Sequence, residues 1–119
     1  MPNGIMLSPG ELILIPVPFT DLSSQKRRPV IVISNRTYNQ NSRDMLVVAV
    51  TSNLRPTLYS FPLNPEDMAI GTLNRASVVR ADKIYALGQL LIVKRFGTVK
   101  PEVLNKISTV VQQIMNVNS

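Results

Sequence analysis

Only one segment of this 119-residue chain has the hydrophobic periodicity of a long helix. It opens at Pro101 and ends near Asn116, and its apolar residues recur at the spacing of a single helical face. These residues are Val103, Leu104, Ile107, Val110, Val111, Ile114 and Met115. A parallel sheet needs a helix between successive strands, and no such alternation precedes Pro101. The pattern therefore predicts a mainly β domain of antiparallel strands with a long C-terminal helix.

The other apolar runs are short, are bounded by turn-forming residues and contain many β-branched side chains, as strands do. Met45–Thr51 is the clearest of them, and the unbroken apolar run in Pro29–Ser34 predicts a strand buried on both faces. Weaker strands are predicted at Glu11–Phe19, Leu58–Leu63, Ala76–Val79, Lys83–Leu87 (after a polar break at Arg80–Asp82) and Leu90–Val93. Short helices are expected within Asn35–Arg43 and from Asn64 to Gly71. Five or six short strands then form a small antiparallel barrel or curled sheet, as a single domain over residues 1–119.

The composition removes several classes of chemistry. Without cysteine or histidine the chain has no disulfide, no thiolate nucleophile, no zinc site of the usual kinds and no histidine general base. The seven acidic residues are scattered and suggest neither a carboxylate pair nor a metal site, so no cofactor is expected. No apolar run reaches the ~20 residues of a membrane span, and the first residues lack a signal-peptide pattern. A cytoplasmic protein is predicted.

Thirteen Lys and Arg residues against seven Asp and Glu give a net charge of +6. Such an excess on a small domain attracts polyanions, and the planar guanidinium of arginine suits phosphate. The arginines of the first two-thirds of the chain are Arg27, Arg28, Arg36, Arg43, Arg55, Arg75 and Arg80. Nucleic acid is therefore the favoured partner.

Two residues at strand ends stand out as candidate chemistry. Arg28 closes the basic triplet Lys26-Arg27-Arg28 just before one predicted strand, and Thr51 ends the next strand. If these successive strands pair antiparallel, as neighbours usually do, both residues lie at the same edge of the sheet. A guanidinium and a hydroxyl that converge there could bind a phosphodiester.

Simpler interpretations of the same residues remain open. The basic triplet could be a solvated charge run, and Thr51 could be an ordinary β-branched residue at a strand end. Arg28 could also be the structural ion-pair partner of Asp21 or Asp82.

Three segments resemble the PemK/MazF toxins, the endoribonucleases of bacterial toxin–antitoxin pairs. Gly10–Ser34 resembles the N-terminal motif of that family, Val48–Asn53 (VAVTSN) its second motif and Leu73–Leu87 (LNRASVVRADKIYAL) its third. The three motifs occur in the family's order and, with the closing helix, span nearly the whole chain.

The resemblance implies an SH3-like barrel of the PemK/MazF/CcdB type with attached helices, a homodimer, and metal-independent cleavage of single-stranded RNA at a short sequence. It implies Arg28 and Thr51 as the catalytic residues. The residues that it places in contact with RNA are Ser23, Ser24, Gln25, Lys26, Arg27, Asn35, Ser52, Asn53, Ser77, Asp82 and Lys83. The chain departs from the family pattern at Leu22-Ser23-Ser24 and at Asp82-Lys83, which bears on the RNA sequence that is recognised.

The reaction implied is attack of a ribose 2′-hydroxyl on the adjacent phosphorus, which yields a 2′,3′-cyclic phosphate and a 5′-hydroxyl. The implied partner is an acidic antitoxin segment that covers the RNA groove. One rival is a toxin of the same fold that inhibits DNA gyrase without catalysis, like the CcdB toxins. Another is a non-catalytic module for single-stranded RNA, which usually exposes more aromatic residues than the six in this chain.

Overall fold

In a computed structural model of the chain, the structure describes residues 6–16 and 26–118. It is built on one antiparallel sheet of seven strands in the order β4-β6-β3-β2-β1-β7-β5. The strands are Glu11–Pro16 (β1), Arg27–Val32 (β2), Asp44–Thr51 (β3), Ser60–Leu63 (β4), Met68–Gly71 (β5), Ser77–Gly88 (β6) and Lys94–Val99 (β7), and the α-helices are Arg36–Asn41 (α1) and Pro101–Ile114 (α2). The predicted mainly β class with a long C-terminal helix and short helical segments is confirmed.

The central strands are buried on both faces because the sheet curls around one core and covers a second. Ile31 of β2 belongs to the core beneath α2, whereas its neighbours Val30 and Val32 belong to the cluster on the opposite face. From α2, Val103 and Ile107 enter the first core. The two-sided burial predicted for the second strand is therefore confirmed.

A buried polar cluster fixes the connection between β2 and β3. Asn39 of α1 is fully buried and donates to the carbonyls of Leu7 and Ser34 at 2.9 and 3.0 Å. The Ser34 hydroxyl donates to Asn39 Oδ1 at 2.6 Å and accepts from the Leu46 amide at 3.0 Å. Because buried polar groups need partners, this network ties α1 to the start of β3.

Two strand predictions in the third quarter of the chain were wrong in detail. The stretch split into Ala76–Val79 and Lys83–Leu87 is a single 12-residue strand, β6, and the expected polar break is an irregularity within it. The pairing partners of β3 jump from Arg80 to Ile84, so three residues of β6 are extra at this point. A bulge of this kind bends a strand without ending it.

The helix expected from Asn64 to Gly71 was also wrong beyond its first turn. Pro65–Asp67 forms one turn of 3-10 helix, and the Asp67 carboxylate accepts the Asn64 amide at 2.7 Å. The next residues form β5, because Met68 contributes to the core and Gly71 pairs with Gly97 of β7.

The strand predicted at Leu90–Val93 is replaced by a 3-10 turn at Gln89–Leu91, in which Leu90 is 90% exposed. The true strand, β7, begins at Lys94 and was missed because two charged residues open it. One of these charges is satisfied, since Arg95 forms an ion pair with the buried Glu11 of β1.

Candidate nucleic-acid interface

A cleft of about 410 Å³ opens on one face of the sheet, where β2 begins and β3 ends. Its wall combines cationic, hydroxyl and amide groups with apolar side chains. The lining residues are Ile15, Arg28, Val30, Ala49, Val50, Thr51, Asn53, Arg55, Thr57, Arg80, Lys83 and Tyr85. Arg28 and Thr51, predicted from separate strand ends, thus line the same cleft.

Strand register explains why these two residues meet. The pairing of β2 with β3 is antiparallel and sets Val30 opposite Ala49. This is the last pair of the ladder, and the same register extended by two residues would set Arg28 opposite Thr51. Directly opposed side chains lie on the same face, with Cβ atoms about 4.5–5.5 Å apart. The geometric expectation that both residues lie at one edge is met.

Arg28 is exposed at this edge, and its strand partner in β1 is Ile15. Among the residues that the structure describes, it forms no ion pair. The Asp82 carboxylate, one of the two partners considered for it, is bound to Arg80 instead. Asp21, the other, lies outside the described residues. The guanidinium is therefore not paired with Asp82 and faces the cleft.

Thr51 anchors the loop that forms one rim of the cleft. Its hydroxyl oxygen accepts the Asn53 amide at 3.1 Å, and the Asn53 side chain in turn accepts the Arg55 amide at 3.0 Å. Further along, the Ser60 hydroxyl donates to the Thr57 carbonyl at 2.6 Å. These local side-chain-to-backbone bonds shape the loop, and they leave the hydroxyl hydrogen of Thr51 able to donate to a ligand.

The irregularity in β6 brings a second arginine to the cleft. Arg80 lies opposite Ala49 of β3, and Asp82 holds its guanidinium in a two-point contact at 3.0 and 2.9 Å. The hydrogen bond from Arg80 lowers the pKa of Asp82, and the same bond raises the pKa of Arg80. The bulge also turns Lys83 into the cleft. A fixed guanidinium loses less side-chain entropy when it binds an anion.

The charge of the cleft is one-sided. Arg28, Arg55, Arg80 and Lys83 line it, and no acidic side chain does so among the described residues. Concave surfaces with a single sign of charge concentrate counter-ions. The cleft therefore attracts anions, and hydroxyl and amide groups stand beside its cations to accept or donate hydrogen bonds.

The other predicted contact residues are only partly brought together. Asn53 and Lys83 line the cleft, and Lys26 and Arg27 are exposed at the start of β2 beside it. Ser52 is exposed in the rim loop, but it is not among the lining residues. Ser23, Ser24 and Gln25 lie outside the described residues.

Two further predicted contact residues, Asn35 and Ser77, are not among the residues that line the cleft. Asn35 caps α1 through a bond from the Tyr38 amide at 2.9 Å and lines a different groove, beside α2. Ser77 is 5% exposed, and its hydroxyl donates to the Arg75 carbonyl. Ser77 nevertheless lies close to Thr51 in the sheet, because its neighbour Val78 is the strand partner of Thr51.

Besides the four apolar residues of its wall, four residues with polar side chains line the cleft without having been predicted as site residues, namely Arg55, Thr57, Arg80 and Tyr85. For Arg80 a signal existed, because a basic residue interrupts an otherwise apolar strand in VVRADK. The other three depend on how the rim loop folds back and on the bulge in β6, and a single sequence specifies neither.

In the described ranges no group of three or more acidic, cysteine or histidine residues could hold a metal ion. Neither helix in these ranges has the length and apolar character to traverse a bilayer.

The family model of PemK-like, MazF-like toxins of type II toxin–antitoxin systems matches residues 8–115. The chain belongs to this family. No curated protein sequence matches the toxin at a significant level. Its fold is similar to that of several solved structures, and the predicted SH3-like barrel of the PemK/MazF type is confirmed.

Three of these structures illustrate the likeness. One is an endoribonuclease in complex with its cognate antitoxin from a mycobacterial species. It has 22% identity and a TM-score of 0.75, and the alignment covers 93% of the present chain and 96% of the matched chain. Another endoribonuclease from a mycobacterial species has 24% identity and a TM-score of 0.72, with 93% and 92% covered. MazF in a MazE–MazF complex from Deinococcus radiodurans has 19% identity and a TM-score of 0.74, with 94% and 97% covered. Identities this low show a shared fold.

Proposed function

We propose that this toxin is an endoribonuclease that cleaves single-stranded RNA in the cytoplasm, with Arg28 and Thr51 as its catalytic residues. The observation that carries the proposal is the convergence of these two side chains in one cationic cleft that also holds Arg55, Arg80 and Lys83. Two of the similar solved structures are endoribonucleases. Phosphate contacts from several cations supply most of the affinity for a nucleic acid backbone.

In the proposed reaction the ribose 2′-oxygen attacks the adjacent phosphorus and the bond from phosphorus to the 5′-oxygen breaks. The 2′-hydroxyl loses its proton, and the leaving 5′-oxygen gains one. The products are a 2′,3′-cyclic phosphate and a 5′-hydroxyl end. Charge builds up on the phosphoryl oxygens during attack, and oriented donors that meet this charge stabilise the transition state.

Arg28 offers a planar guanidinium that can bind two phosphoryl oxygens at once. Thr51 offers a hydroxyl donor whose oxygen is already oriented by the Asn53 amide. Arg80 is held by Asp82 and is positioned to bind a second phosphate along the strand. Arginine is cationic throughout the neutral range, so its proposed role is electrostatic.

Incubation of the purified toxin with a long single-stranded RNA in the presence of EDTA tests the activity. We expect discrete fragments that carry 5′-hydroxyl and 2′,3′-cyclic phosphate ends, and no cleavage of the same sequence within a duplex. Sequencing of the fragment ends would identify the recognised sequence. Absence of cleavage by the toxin, or equal cleavage by an Arg28→Ala variant that folds normally, would overturn the proposal.

We also propose an acidic antitoxin segment as the natural competitor of RNA. Two of the similar structures are complexes with an antitoxin, and the charge of the cleft favours an acidic peptide. RNA and such a peptide would both neutralise the same cations. Both affinities should therefore fall as salt rises, and a salt-independent affinity for RNA would contradict a phosphate-binding cleft.

A homodimer is the proposed assembly. The C-terminal end of α2 exposes apolar side chains that a monomer leaves in water: Met115 is 71% exposed and Val117, just beyond the helix, is 93% exposed. Beside them runs the groove of about 400 Å³ lined by Pro9, Ile33, Leu104 and Val111, among others. Light scattering should give twice the 13.2 kDa of one chain, and replacement of the exposed Met115 by aspartate should give one chain's mass.

A further inference from the structure

The cationic cleft has an apolar wall that phosphate binding does not explain. Ile15, Val30 and Ala49 line it beside the arginines, together with the ring of Tyr85. Phosphate and ribose are polar, so neither benefits from such a surface. The part of a nucleotide that does benefit is the base, whose flat faces stack on aromatic rings.

Tyr85 has a defined place in this wall. It lies opposite Val47 of β3, on the face of the sheet that carries the cleft, and it packs against the apolar cluster that contains Ile15 and Val30. Tyr85 as a whole is partly exposed. The side chain of Tyr85 thus packs against the cluster on one side and borders the cleft on the other.

Arg80 stands next to this ring. Arg80 lies opposite Ala49 and Tyr85 lies opposite Val47, and these two partners are two residues apart on the same face of β3. The ring of Tyr85 therefore borders the same cleft as the guanidinium of Arg80. One aromatic surface and one phosphate ligand are adjacent, which is the pairing that a single nucleotide requires.

We propose that one unpaired base of the RNA stacks on Tyr85 while Arg28 and Thr51 hold the neighbouring phosphate. This inference rests on the proposed function and adds to it a base-binding residue. A base within a duplex is stacked on both sides and cannot offer a free face to a protein ring. Tyr85 therefore contributes to the choice of single-stranded over double-stranded RNA.

The test measures binding, so that it does not depend on turnover. The probe is a fluorescently labelled single-stranded RNA that contains a cleaved sequence, with a 2′-deoxy sugar at the attacking position to prevent cleavage. A companion series replaces one base at a time by an abasic ribose. Fluorescence anisotropy gives the affinity of the parent and of Tyr85→Leu for every member of the series.

Leucine keeps the apolar packing of Tyr85 but has no aromatic face. Base–aromatic stacking is worth enough to weaken binding about 5- to 150-fold when it is lost. We expect Tyr85→Leu to bind the intact RNA more weakly by a factor in that range. Phenylalanine keeps the ring, so Tyr85→Phe should bind within about 3-fold of the parent.

The abasic series separates stacking from a general disturbance. In the parent, removal of one particular base should cost the same factor as Tyr85→Leu does. In the variant, removal of that base should cost nothing further, since the ring that it would stack on is gone. Tyr38→Leu is the control, because this tyrosine lies on α1 and does not line the cleft.

Several results would overturn the assignment. Parent-like affinity in Tyr85→Leu would do so, as would an equal loss for every abasic RNA, which would indicate a structural role. If the parent cleaves RNA and either result is found, only the base-stacking role of Tyr85 is wrong. If the parent neither binds nor cleaves single-stranded RNA, the endoribonuclease proposal fails and this inference fails with it.

Discussion

Replacement of Arg28 by alanine is the sharpest perturbation that the cleft allows. The side chain is exposed, and within the described residues it forms no ion pair, so its removal disturbs little of the fold. We expect the free energy of unfolding to change by less than about 0.5 kcal/mol. Any large effect on RNA cleavage then reports on the reaction.

The expected loss of activity follows from the role of the guanidinium. One oriented donor to a developing oxyanion is worth about 10²–10³ in rate, or about 2.7–4 kcal/mol. The salt dependence gives a second magnitude. Four cations line the cleft, and a single strand contributes a slope of about −0.7 in log affinity per log salt for each phosphate neutralised. The slope should therefore change from about −2.8 for the parent to about −2.1 for Arg28→Ala.

Arg43→Ala is the matched control. It deletes the same charge, but Arg43 precedes the start of β3, whereas Thr51 stands at its end. At about 3.3 Å per residue the two positions lie some 26 Å apart, beyond the ~8 Å screening length at physiological salt. This variant should retain parental cleavage and the parental salt slope.

Single-turnover cleavage of a labelled RNA gives the rate, and anisotropy at several salt concentrations gives the slope. Urea unfolding of each variant checks the fold. If Arg28→Ala and Arg43→Ala lose activity equally, the effect is one of net charge. If Arg28→Ala cleaves at the parental rate, Arg28 is not catalytic and the reasoning from strand register to chemistry is wrong.

Three further predictions follow from single contacts. Thr51→Ser should cleave RNA within several-fold of the parent, whereas Thr51→Val should lose about 10²-fold in single-turnover rate because it has no hydroxyl donor; equal rates would contradict its role. In Gly97→Ala the new Cβ would lie 2.0 Å from a carbonyl oxygen of β5, at a φ of +148°, so the free energy of unfolding in urea should fall by about 2–4 kcal/mol. Gly88→Ala is the control: its Cβ would meet nothing within 4 Å, and the free energy of unfolding should change little. The pKa of Asp82 is lower in the folded chain than in the unfolded chain, so its ion pair with Arg80 stabilises the fold at pH values above the unfolded pKa, and this contribution disappears as pH falls through the folded pKa. Asp82→Asn should therefore lower the free energy of unfolding by up to about 1 kcal/mol at pH 7 and leave it unchanged in acid; a loss that persists in acid would refute the linkage.

The sequence predicted the parts of the fold that local patterns determine. The β-branched run of Met45–Thr51 and the amphipathic repeat after Pro101 each have a single favourable solution, and the structure adopts both. β7 could not be predicted in this way, because its opening charges become favourable only when Arg95 meets Glu11, 84 residues away in the chain. Pairings between distant residues leave no local pattern.

The same distinction applies to the cleft. Arg28 and Thr51 could be brought together from sequence because two consecutive strands with one connection have one common arrangement. Arg80 and Tyr85 face the same space only because three extra residues between Arg80 and Ile84 shift the register of β6 against β3. The position of a bulge depends on the partner strand. The sequence therefore indicated a polar interruption at this point, but not that the strand continues through it and brings Arg80 and Tyr85 to the cleft.

The length of the connection between β2 and β3, which contains α1, determines how Arg28 and Thr51 are aligned at the opposite end of these two strands. The positions of Arg28 and Thr51 add up to the same value as each pair in the β2–β3 ladder, so the spacing between them is fixed by how many residues that connection contains. Deletion of a single residue there would turn one of the two side chains to the other side of the sheet. The buried amide of Asn39 opposes such slippage, which makes a residue remote from the RNA responsible for the alignment of the proposed chemistry.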